Sequence, residues 1–134
     1  MTAFLAEITP DHILDLSDYE AVRKDRKSAI VAAKRDRRLA IGPDATIYFE
    51  NRETMWLQIQ EMLRIEKGGA AQLADELAAY NPMVPKGRNL SATFMIEIDD
   101  ERRRDRVLGE VGHIDQTISI KFVGEKVFAR ADDD

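Results

Sequence analysis

The chain has 134 residues, 44% of them hydrophobic and 34% charged, with a formal net charge of −5. That length fits one domain able to bury roughly two thirds of its unfolded surface, and the composition excludes a disordered or membrane-spanning chain. Zero cysteines exclude disulfides, thiolate-bound clusters and cysteine nucleophiles, which fits a reducing, cytoplasmic setting.

Thr9-Pro10 places a capping residue before proline and predicts a short helix through Leu16. Ser17-Asp18-Tyr19-Glu20 is a capping-box pattern, and the helix it opens is expected to run to about Arg38 on a narrow stripe of Tyr19, Val22, Ile30 and Ala33. "RLAIGPDATIYFE" reads as strand, turn and strand. A helix from Asn51 to Lys67 follows, stopped by Gly68-Gly69, and "AAQLADELAAY" gives another that ends at Asn81-Pro82. "NPMVPKGRN" is a proline-punctuated loop, better read as a connector than as a binding loop. "SATFMIEI" alternates as a strand, Asp99 or Asp100 caps "ERRRDRVLGEV", and "QTISIKF" with "KVFAR" closes the chain as a hairpin. The order predicts one α+β domain over residues 1–134, a largely antiparallel sheet of about five strands with helices packed on one face.

The helix from Asn51 is the most informative element. At 100° per residue, Met55, Trp56, Ile59, Met62 and Leu63 share an arc about 120° wide, and Arg52 and Glu66 fall inside it. Those two are fourteen residues apart, roughly 21 Å along the axis, so each needs its own partner or must reach solvent past the helix end. Gln58 and Glu61 stand three apart on a second face, either as a polar pair within an interface or as ordinary surface.

"RRLAIGPDATIYFENRETMWLQIQEMLRIE" followed by "LAAYNPMVPKGRNLSATFMIEI", with "ITPDHILDLSDYEAVRKDRK" before and "GHIDQTISIKFVGEKVFARAD" after, resembles the bacterial family catalogued as domain of unknown function 3501. The resemblance covers essentially the whole chain. Members of that family usually continue through a further C-terminal segment, which is missing here. The resemblance supplies no catalytic residue. It implies, by association, a protein partner of the rubrerythrin-like or iron–sulfur class and a role near redox or peroxide chemistry.

No cofactor is expected. A metal would have to draw on His12 and His113 with Glu61 or Glu97, and one Glu-x-x-His spacing, Glu110 to His113, falls short of the two that a carboxylate-bridged di-iron bundle uses. Acid–base catalysis would rest on Glu61 or Glu97, although Glu97 occupies the polar register of its strand. Neither a Gly-x-Ser-x-Gly elbow nor a phosphate loop is present. Eight basic residues between Arg23 and Arg38 suggest a phosphate or RNA surface, but the acidic whole and the scarcity of aromatics favour a solvated helix face.

The leading expectation is a non-enzymatic accessory or binding domain in a redox-linked assembly, with Arg52, Gln58, Glu61 and Glu66 as ligand or interaction residues. The second faces of the strands and the Gln58/Glu61 side of the helix from Asn51 are expected to serve as interaction surface, and if the further C-terminal segment normally covers it, the chain is expected to self-associate. The alternative is a small-ligand-binding or metal-dependent enzyme with a carboxylate-rich site around Arg52, Glu61 and Glu97.

Overall fold

The computed structural model describes residues 7–112 and 114–131. The architecture is α+β, and the five strands among the described residues all pair antiparallel. The chain falls into two compact units, Met1–Ile96 and Glu97–Asp134.

In the first unit, a 3-10 turn over Pro10–His12, shorter than the helix expected through Leu16, precedes helix α1, Leu16–Lys34. The cap of α1 is Asp15, whose carboxylate accepts from the Asp18 N–H, so the helix starts before the Ser17 pattern and breaks at Lys34 into a 3-10 turn. Strands β1, Arg38–Ile41, and β2, Ala45–Phe49, form a hairpin, and β3, Ala92–Ile96, pairs on the other side of β2. Helices α2, Arg52–Glu66, and α3, Gly69–Tyr80, lie between β2 and β3 in sequence. Asn51 caps α2 reciprocally with Thr54. The left-handed residue that ends α2 is Lys67 (φ 53°) rather than a glycine. Gly68 is needed for space instead, because a Cβ there would lie 2.7 Å from the Gln72 side chain that folds back onto its N–H.

The core is helical. Tyr19 and Ile30 of α1, Met55, Trp56, Leu57, Ile59 and Leu63 of α2, and Leu77 of α3 form it together with Ile8 and Val84. Helix α2 is covered nearly all round, more widely than its apolar arc predicts, because Thr54, Leu57 and Gln60 are buried too. The strands alternate as expected and helices pack against the sheet, which leaves all of β2 and Phe94 and Ile96 of β3 half-buried. The rows Leu39–Ile47–Phe94 and Ile41–Ala45–Ile96 share one face of the sheet, and Leu39 and Ile41 remain 53% and 44% exposed. The helices spend their apolar stripes mainly on one another.

The second unit carries α4, Glu101–Glu110, capped by Asp100, and a hairpin of β4, Ser119–Phe122, and β5, Glu125–Phe128. Its two-residue loop has φ 46° at Val123 and 80° at Gly124, the positive pair that a type I′ turn requires. A β-branched residue is poorly suited to that region. Val123→Asn should therefore stabilise the hairpin by about 1 kcal/mol, read as more extended Hα shifts along β4 and β5. Unchanged shifts would mean that Val123 carries no strain.

Candidate functional site

The densest polar cluster joins α1 to α2. Tyr19, Arg23 and Lys27 recur every four residues and so line one stripe of α1. All three point at Glu61. The Tyr19 hydroxyl donates to Glu61 Oε2 at 2.5 Å, Arg23 donates through Nε and Nη2 at 2.9 Å each, and Lys27 Nζ reaches Oε1 at 3.4 Å. The bidentate arginine is the strongest of these contacts in geometry and charge. It is also the main reason the Glu61 carboxyl is held down at about 2, overcoming partial burial, with Tyr19 and Lys27 adding to it. The same cluster pushes the Tyr19 phenol well above its ordinary value, chiefly through burial and then through its bond to the Glu61 carboxylate.

One turn along, the charges swap helices, with Glu20 of α1 accepting from Arg64 Nε of α2. That pair is largely exposed and adds little to stability. Tyr19 also packs edge-on to Trp56 with ring centroids 5.9 Å apart, and Arg26 lies 5.2 Å over the indole. The basic run of α1 thus divides between bonds to α2 and solvent. The sequence signal for this was Tyr-x-x-x-Arg-x-x-x-Lys beside an acid on another helix, and charge counting alone hides it.

The remaining expected site residues lie apart. Gln58 is exposed and donates to the Tyr80 hydroxyl at 3.4 Å, on a different side of α2 from the partners of Glu61. Arg52, half-buried, is the first residue of α2, nine residues or roughly 14 Å along the axis from Glu61. Glu66 accepts from Gln72 Nε2 of α3 at 3.1 Å, so one of the two misplaced-looking charges of the helix meets a neighbouring helix. Glu97 belongs to the second unit. His12 closes the turn at Pro10, where its Nδ1 accepts from the Thr9 N–H at 2.9 Å. His113 lies outside the described residues. Among the described residues, no three His, Cys, Asp or Glu side chains are grouped as metal ligands.

Two functional-looking residues escaped the sequence reading. Gln60 is fully buried and brackets Leu14, accepting from its N–H at 2.7 Å and donating to its C=O at 3.3 Å. Asn81 does the same to Ile8, at 2.8 and 2.9 Å. Periodicity places Gln60 at the edge of a polar face, and nothing local marks either side chain as a main-chain partner.

The family model described as "Protein of unknown function (DUF3501)" matches residues 7–134. The chain belongs to the DUF3501 family. It is also similar to a crystal structure of a novel protein of unknown function from Burkholderia pseudomallei, at 34% identity and a TM-score of 0.86, over 92% of this chain and 71% of that one. No curated protein matches. Shared fold and family therefore carry the α+β architecture across, and the chemistry has to be argued from side chains. Among the described residues of this DUF3501 chain, no helix is long and apolar enough to cross a membrane.

Proposed function

We propose that the chain is a non-enzymatic binding domain, an accessory component of a redox- or peroxide-linked assembly in the cytoplasm. The observation that carries this reading is the apolar face of the three-stranded sheet. Leu39, Ile41, Ala45, Ile47, Phe49, Ala92, Phe94 and Ile96 share it by register and alternation, without a charged residue among them. Leu39 and Ile41 sit on an edge strand whose four residues are all exposed. Ala45, Ile47, Phe49, Phe94 and Ile96 are half-buried beside that edge, and an exposed apolar patch of this kind marks a protein contact more often than a reaction centre. The state of Glu61 supports the same reading. A carboxylate that accepts four hydrogen bonds and titrates near 2 is a poor general base at neutral pH.

The family association suggests the partner, a rubrerythrin-like or iron–sulfur protein. The test is a binding measurement between the purified chain and such proteins from the same genome, repeated with Leu39→Asp and Ile41→Asp. Both side chains are already exposed, so the fold should tolerate the changes. A complex weakened at least about tenfold by either change is the expected outcome, equivalent to about 1.4 kcal/mol at the interface. Affinity unaffected by both substitutions would remove the sheet face from the reading. No complex with either protein class would remove the proposed partner.

A further inference from the structure

Residues 7–14 lie across the helical core as a strap, and the polar contacts that hold them recognise main chain. Asn81, just past α3, pairs with both the N–H and the C=O of Ile8, and Gln60 of α2 pairs with both of Leu14. Between them, the Trp56 indole N–H donates to His12 O at 2.9 Å. Each carboxamide gives one bond and takes one, as the neighbouring strand of a sheet would. The stretch between the two bracketed residues is a single turn, closed by bonds from the His12 N–H to Thr9 O and from the Ile13 N–H to Pro10 O.

Side chains of the strap contribute little beyond apolar anchoring. Ile8 is 2% exposed, with Ile13 and Leu14 partly buried against the core. The ion pair from the strap to the rest of the unit, Glu7 with Lys86 Nζ, is loose at 3.8 Å. Recognition of this kind draws affinity from backbone bonds and selectivity from apolar pockets, the division of labour seen where proteins bind peptides.

We propose that this groove on α2 and the end of α3 is a polypeptide-binding site occupied in cis by residues 7–14, and that a partner segment displaces the strap and binds in trans. The segment that fits is defined by the one already there: an aliphatic residue six positions before a second one, with one turn between them flanked by extended backbone at Thr9 and Ile13. This site is separate from the sheet face and stands or falls without it.

Two features bear on exchange: a vacant groove is costly, and α1 stays capped without the strap. Emptying the groove would leave the buried amides of Gln60 and Asn81 unpaired, a penalty that a replacement segment avoids by making the same bonds. Helix α1 keeps its own N-terminal cap when the strap leaves, because the Asp15 carboxylate serves the Asp18 N–H within the helix.

Trp56 is the sole tryptophan and lies in the groove, so it reports occupancy directly. The probe is a dansyl-labelled peptide of residues 7–16, EITPDHILDL, added to the full chain, with energy transfer from Trp56 as the readout. A control peptide carries Ile8→Asp. Saturable transfer from the first peptide and none from the control is expected. Binding should tighten at least about tenfold in chains weakened in the strap by Ile8→Ala or Leu14→Ala, because the open fraction sets the apparent affinity. Absence of saturable transfer in the wild type and in whichever of these two variants keeps its helical circular dichroism would overturn the proposal. So would equal transfer from the control peptide.

Discussion

Glu61→Gln is expected to destabilise the first unit by about 2–3 kcal/mol at pH 7, and the deficit should fade in acid. Glutamine keeps the size and the hydrogen-bonding oxygen but removes the charge that Arg23 and Lys27 face. The sign of the pH dependence follows from the direction of the shift. The folded Glu61 carboxyl lies at about 2, below its ordinary 4.5, so ionisation favours the folded state. Its contribution is complete above the unfolded value and is lost as pH falls from about 4.5 towards 2. Urea unfolding of wild type and variant across that window should show two stability curves converging at the acid end. A constant separation would mean that the variant had lost packing and not charge.

Gln60→Leu should cost about 2–4 kcal/mol, although leucine is apolar and close in size to the residue it replaces. Gln60 is completely buried, and both of its bonds go to the main chain of Leu14. Removing it strands a backbone N–H and C=O that are partly shielded from water, and that penalty outweighs the gain from burying a hydrocarbon. Gln58→Leu makes the informative comparison. Gln58 is exposed and makes a long 3.4 Å contact to Tyr80, so its loss should stay within about 0.5 kcal/mol. Comparable thermal-melt shifts for the two variants would mean that the bracket around Leu14 adds nothing.

Most of the element order was legible in the sequence. A helix opening at Asn51, Pro10 in the first turn, the α3 stretch ending at Tyr80 and the closing hairpin all carry local chemistry that the fold uses, with Asn51 itself serving as the cap. Boundaries shifted where two caps competed. Asp15 caps α1 in place of Ser17, and the basic end of that helix tightens into a 3-10 turn before β1.

The candidate site was less legible, for a physical reason. Glu61 acquires its character from three side chains between 34 and 42 residues away in sequence, and a pattern read along one helix cannot say which face of its neighbour it meets. Gln58 and Glu61 look like a pair on a helical wheel, but α1 and Tyr80 draw them apart. Gln60 and Asn81 were invisible for the converse reason. Their partners are backbone groups, which leave no mark in the amino-acid sequence.

Glu61 is a locked structural anion between α1 and α2, held by Tyr19, Arg23 and Lys27. The most direct measurement is a carbon-detected NMR titration of the Glu61 side-chain carboxyl in the intact chain. A midpoint near 2, shifting with Arg23→Ala towards the ordinary value of 4.5, is the expected result. A midpoint near 6 would contradict it, because a carboxyl poised there is equipped for proton transfer.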